Sequence, residues 1–234
     1  MWWRRKRDPG ILRHQPVHDG FVPAEGLRPE AAEAIDRHIE RHFGPVESVY
    51  HEMLSHLVAV HVHVIGPTAE RPYRTLITTG MSERPMSVPA EAEVSPYAEL
   101  MIALPPQWPV PGTYPSGDER ADWPITLLKQ LARLPHEYRT WLGHWHTIPN
   151  GDPATPYAPG VPFTGVIVTP MLMVPDEART IRAADGTEIN LLALVPLHPA
   201  EMAFKLRRGS DALTDALDRG GVTELVDPDR PSCV

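Results

Sequence analysis

The chain has 234 residues, is 42% hydrophobic and carries a formal net charge of −8, so it is long enough to bury a substantial core in one large domain or two small ones. Its one cysteine, Cys233, excludes an internal disulfide and a cysteine-built zinc site, and no apolar run approaches the roughly 20 residues that span a bilayer. The negative charge argues against nucleic acid as a partner, because phosphate neutralisation needs clustered Lys and Arg; with no secretory signal pattern, a cytoplasmic location is expected and no membrane partner.

The opening "MWWRRKRDPG" places Arg4, Arg5, Lys6 and Arg7 after Trp2 and Trp3. A charge run at a terminus reads as a solvated tail, so residues 1–25 are expected to be a flexible basic tail and residues 26–234 the folded domain. The first helix is expected in "RPEAAEAIDRHIERHFG", where Pro29 suits an early helical position and Gly44 can end the helix. Next, "SHLVAVHVHVIG" alternates over two largely apolar faces, the mark of an interior strand, with His61 and His63 on one side.

"YRTLITTG" and "YAELMIALP" predict two more strands, the second placing Ala98, Leu100, Ile102 and Leu104 on its core face and Glu99 and Met101 opposite. "ADWPITLLKQLARLPHEYRTWLG" switches to helical spacing, with Asp122 as its N-cap and Pro135 expected to break or kink it. "FTGVIVTPMLMV" follows, then "ARTIRA" and "TEINLLALVPL", joined at Asp185-Gly186 as a two-residue hairpin turn. Two short helices close the chain, "HPAEMAFKLRRG" and "SDALTDALDRGG", the second capped by Ser210. Strands in the middle with helices at both ends predict a single α+β domain with a mixed, mostly antiparallel central sheet flanked by helices.

No Walker phosphate loop, dinucleotide glycine fingerprint, nucleophile elbow or HExxH helix is present, so no motif assigns an enzyme activity. What remains is histidine. His61 and His63 on a strand, Glu99 on a second strand and His146 in a loop have the donor types of a catalytic metal site, although a half-buried strand face explains the same pair without a metal. Glu99 has a plainer role open to it, an ion pair with Arg74.

The stretch "LGHWHTIPNG", Leu142 to Gly151, has two readings. Its His-x-His pair projects two imidazoles to one side, as a metal requires; alternatively Trp145 anchors the loop to the core and Asn150-Gly151 reverses the chain. Trp108 and Trp145, aromatic residues in loops, fit either core lids or anchors for another protein.

Four pieces in order, "TLITTGMSERPM", "YAELMIALPPQW", "HTIPNG" and "LLALVPLHPAEMAFKLRRGSDALTDAL" with "VDPDRPSC", resemble the suppressor of fused family as it occurs in bacteria. The resemblance covers Phe43 to Cys233; what precedes Gly26 matches no part of it. It implies a mixed α+β domain that binds other proteins, without catalytic residues or a cofactor, and for bacterial members an immunity protein that neutralises a toxin. The animal protein of this name restrains a transcription factor, but it has a second domain that this chain is too short to contain. The residues His146, Thr147, Ile148, Pro149 and Asn150 fit the family pattern and His144 does not, which weakens the metal pair. The expected function is therefore a non-enzymatic protein-binding module using Trp108, Trp145, His146 and Asn150. The alternative is a metal-dependent enzyme using His61, His63, Glu99 and His146.

Overall fold

A computed structural model describes residues 11–18, 20–24, 26, 28–52 and 55–234. Helix α1, Pro29–His42, begins on a proline and presents Ala31, Ala34, Ile35 and Ile39 as one buried stripe. Phe43 and Gly44 both donate to Ile39 O, and Gly44 closes the helix at φ +94°, a conformation a side chain would resist. Strands β1 (Val46–Tyr50), β2 (His61–Ile65), β3 (Arg74–Thr79) and β4 (Tyr97–Leu104) then form an antiparallel series.

The long helix α2, Glu119–Tyr138, follows, and then β5 (Thr147–Pro149), β6 (Gly165–Thr169), β7 (Thr180–Arg182) and β8 (Glu188–Leu197). The sheet order is β1-β2-β3-β4-β8-β6-β5, with β7 also on β8. Among the described strands only β4 and β8 pair parallel, so this is the α+β fold with a mixed, mostly antiparallel sheet that the pattern predicts. Helices α3 (Pro199–Arg208) and α4 (Ser210–Arg219) complete the elements.

Both sheet faces are covered, which is why the strands lack clean polar alternation. Val62, Val64, Leu76, Leu100, Ile102 and Leu194 pack with Trp123, Leu128 and Leu131 of α2. On the other face Ile65, Ile77, Met101 and Leu191 pack with Ile35 and Ile39 of α1. Leu213 and Leu217 of α4 extend that layer over Ile167, Val195 and Leu197. The registered pairing of β8 with β4 ends at Met101, and the C-terminal segment continues the ladder: Val226 N–H donates to Ala103 O at 2.9 Å, with Leu225 bridged to Ala103.

Several local expectations are corrected. The strand drawn through residues 55–66 begins only at His61, because Leu57 adopts φ +66° and residues 55–57 bond elsewhere. Leu57 N–H donates to Val22 O, Ala24 N–H to Ser55 O and Val22 N–H to His56 Nδ1. Val22 and Ala24 are thus tied to the sheet's neighbourhood; the basic run Arg4 to Arg7 lies outside the described residues.

Helix α2 is capped by Asp118, which accepts from Arg120 N–H at 3.0 Å, and not by Asp122, which is engaged by Ser116 N–H and Oγ–H. Pro135 does not break it: the proline falls in the last turn, one turn before the left-handed Arg139 closes the helix. The β7–β8 connection is a three-residue loop, with Gly186 N–H on Ala183 O, Ala183 N–H on Thr187 O and Gly186 at φ +85°, the turn-plus-bulge geometry that follows two-residue hairpins in frequency. Gly209, and not Ser210, occupies the N-cap of α4.

Candidate functional site

The four residues of the metal reading are not brought together. His61 and His63 lie on β2 and Glu99 on β4, with β3 between them, about 10 Å apart at ordinary strand spacing. His146 precedes β5, five strand intervals from β2, or roughly 24 Å. Each is also otherwise engaged. His61 Nδ1 accepts from Glu52 N–H at 3.2 Å, and His63 Nε2 lies 3.2 Å from Thr79 Oγ1. Burial holds both imidazoles below their ordinary pKa.

Glu99 is fully buried, and the expected pairing with Arg74 does not form, because Arg74 reaches Glu47 at 2.5 Å. The Glu99 carboxylate instead accepts from Thr78 Oγ–H, Gly80 N–H, Met81 N–H, and both Ser82 N–H and Ser82 Oγ–H. Burial pushes its pKa up, against the opposing pull of the Ser82, Thr78 and Gly80 donors. It organises the turn after β3. Among the described residues no group of three or more His, Cys, Asp or Glu side chains could hold a metal ion, and no helix is long and apolar enough to cross a membrane.

The four residues of the protein-binding reading fall into two places. Trp145 and His146 form the corner that leads into β5. Trp145 has φ +71°, a conformation that costs a bulky residue energy, yet the residue is 40% exposed. The corner is held from outside itself. Trp145 N–H donates to Val168 O at 2.7 Å, Val168 N–H to His146 O at 2.9 Å, and Lys205 Nζ of α3 to Trp145 O at 2.9 Å and Thr147 Oγ1 at 3.0 Å.

Behind Trp145, the His146 ring meets Trp141 edge-on at 4.4 Å, and burial lowers the His146 pKa, reinforced by the Lys205 charge. Gly143 is required here: a Cβ on it would lie 2.3 Å from Trp141 Cζ3. Lys205 was not legible as part of this corner, since nothing in "AFKLRR" announces that α3 packs beside β5. The same holds for Trp141, which the sequence places only at the end of a helix.

Trp108 and Asn150 belong to the second place, at the N-terminal end of α2. Trp108 Nε1–H donates to Ala121 O at 3.4 Å and its ring meets Trp123 edge-on at 5.9 Å. Tyr157 stacks on Trp123 at 5.3 Å. Asn150 positions the loop that carries Tyr157: Nδ2–H donates to Thr155 O and Pro156 O, and Asn150 O accepts from Thr155 N–H. Gly151 follows at φ +93°, as the turn reading requires.

Comparison with known proteins agrees with this architecture. The family model "Suppressor of fused protein (SUFU)" matches residues 57–231, well over half of the chain. The chain belongs to the suppressor of fused family. None of the curated proteins matches the sequence. Among solved structures, a SUFU homolog from Neisseria gonorrhoeae FA 1090 superposes with a TM-score of 0.62 at 15% identity, covering 88% of this chain and 95% of that one.

The Sufu–Fu complex matches with a TM-score of 0.59 at 15% identity, over 91% of this chain and 93% of that one. Drosophila Suppressor of Fused matches with a TM-score of 0.58 at 14% identity, over 97% of this chain but 54% of that one; this chain spans about half of the Drosophila protein. At such identities the likeness establishes the suppressor of fused fold. The family match includes both the Trp145 corner and the Trp123 cluster.

Proposed function

We propose that this chain is a non-enzymatic protein-binding module of the suppressor of fused type, and that its recognition surface is the Trp145 corner at the start of β5. One observation carries the reading: a tryptophan held in a left-handed conformation by Val168 and Lys205, with 40% of its surface exposed. A non-glycine residue in that region costs about 1–3 kcal/mol and persists where the surroundings over-determine it. Exposed, rigid tryptophans are frequent energetic centres of protein interfaces.

His146 supports the corner from behind, through its ring contact with Trp141. The structural neighbour solved as a Sufu–Fu complex supports a protein as the class of partner. We assign the binding module to residues 26–234, with residues 1–25 as a preceding segment of which Val22 and Ala24 are tied to the domain, and place the chain in the cytoplasm of a bacterium. There it acts as an immunity protein whose partner is a toxin encoded beside it.

Co-expression with the product of the adjacent gene tests this directly. The partner is expected to co-purify with the native chain and to be lost from Trp145→Ala, while the variant stays folded. A chain that captures no partner and turns over a small substrate refutes the reading.

A further inference from the structure

Trp123 and Tyr157 border an open cleft of about 410 Å³, near the small end of ligand sites, which run from about 300 to 1,000 Å³. Its size suits one or two amino-acid residues better than a cofactor. Trp123, Leu127 and Tyr157 supply an aromatic and apolar wall, and Glu119, Gln130 and Asn150 a polar rim. Trp123 itself is packed in place: it is 2% exposed, stacked on one side by Tyr157 and met edge-on by Trp108.

Two polar features of this wall have no counterpart among the described residues. The Glu119 carboxylate is exposed and forms no ion pair there. The indole Nε1–H of Trp123 is buried and has no acceptor, a condition that native structures seldom leave without a reason. Asn150 is taken up by Thr155 and Pro156, and Thr126 by Tyr114. Both oxygens of Asp122 are taken by Ser116. Arg120 lies against Gly160 and is not part of the lining.

We propose that this cleft receives a lysine or arginine side chain from an extended segment of a partner protein. The aliphatic stem lies along Leu127 and the Tyr157 ring, the cationic head meets Glu119, and a main-chain carbonyl of the segment takes the Trp123 Nε1–H. Aromatic faces attract such cations, and their long stems cover apolar surface. An anion is disfavoured, because the helix start that would attract it carries Asp118, Glu119 and Asp122. The net charge of −8 adds long-range attraction for a basic partner. Tyr157 sits on the connection after Gly151, so a modest outward turn of its ring gives the carbonyl access. The inference rests on the protein-binding reading but uses a surface separate from Trp145.

The test titrates the full ¹⁵N-labelled chain with acetyl-Gly-Arg-Gly-amide, the same peptide with neutral citrulline, and the same peptide with glutamate, following the tryptophan indole signals. The arginine peptide is expected to shift the Trp123 signal saturably. Citrulline, or Glu119→Gln in the chain, should weaken binding about five- to tenfold. Glu119 is exposed, so this variant is expected to fold, and Trp145→Ala should leave the titration unchanged. No shift at Trp123, or equal responses to the three peptides, overturns the cleft assignment and leaves the Trp145 reading standing. Loss of partner capture in neither Trp145→Ala nor other corner variants, with the peptide response intact, overturns the Trp145 reading alone.

Discussion

Arg230 and Glu201 form a bidentate ion pair, Nη1 to Oε1 at 2.6 Å and Nη2 to Oε2 at 2.8 Å, with the glutamate fully buried and the arginine side chain 10% exposed. Glu201 also accepts from His198 N–H at the start of α3 and from Cys233 N–H, while Arg230 donates to Pro196 O of β8. One carboxylate thus joins the C-terminal segment, α3 and the central strand. Breaking a buried pair strands the remaining charge, so Arg230→Ala or Glu201→Ala should each destabilise by about 3–5 kcal/mol in chemical denaturation. The double replacement Arg230→Met with Glu201→Leu should cost much less, since it leaves no stranded charge. Burial opposes ionisation of Glu201, but Arg230 and the His198 and Cys233 amides outweigh it, so its pKa lies below the ordinary 4.5. The pair therefore contributes its stability above that value and loses it as pH falls through the lower, folded-state value.

Glu99 makes a second prediction, which also bears on metal. With five donors directed at it, Glu99→Ala leaves several buried groups without partners and should cost at least ~3 kcal/mol by denaturation. Gly80→Ala should also be severe: a Cβ there would lie 1.9 Å from Ala59 O in a residue at φ +107°. Because Glu99 and His61 are committed to hydrogen bonds within the fold, chelator treatment is expected to leave the melting temperature unchanged. A drop on chelation, reversed by one equivalent of zinc, iron or manganese, would restore the metal reading.

Acid sensitivity follows from the histidines. Burial lowers the pKa of His38, His61, His63 and His136 below the ordinary 6.5. The unfolded chain then binds protons more readily than the folded one, so stability is full above 6.5 and declines as pH falls below it toward the folded-state values. The unfolding free energy should therefore fall between about pH 7 and pH 5. His136, whose Nε2–H donates to Met81 O at 2.9 Å, should account for part of the slope, and His136→Asn should flatten it. An unchanged slope in that variant would assign the acid sensitivity to the other histidines.

The contrast between local and distant features explains what the sequence disclosed. Helix α1, strands β3 and β4 and the helices α3 and α4 are visible because each carries its own periodicity and end signals within a dozen residues. Strand β1 escaped notice because it has five residues, and Glu47 and Ser48 are exposed, so no apolar run marks it. The false extension of β2 back to Ser55 arose because valines alternate there, while the left-handed Leu57 and its bond to Val22 are decided by a segment over 30 residues away. At the candidate site the same limit applies. Trp145, His146, Trp108 and Asn150 could be named from residue type, but Lys205, Trp123 and Tyr157 join them only through the packing of α3 and α2 on the sheet.

Four substitutions around Leu142–Gly151 separate anchoring from recognition. Because Trp145 is 40% exposed, Trp145→Ala should change stability by no more than about 1 kcal/mol, well below the ~3–5 kcal/mol expected for a fully buried tryptophan. Trp145→Gly should be neutral or slightly stabilising relative to Trp145→Ala, since glycine adopts φ +71° without strain. Gly151→Val should cost more than ~1 kcal/mol, because that residue sits at φ +93° and a Cβ would meet Pro153 O at 3.3 Å. His144→Ala, at an exposed position, should be silent to within about 0.5 kcal/mol. In a binding assay with the co-expressed partner the order should invert, with Trp145→Ala the most damaging and Gly151→Val affecting binding only through the folded fraction. If Trp145→Ala instead unfolds the domain while the surviving folded molecules bind normally, the tryptophan is a core lid and the recognition surface lies elsewhere.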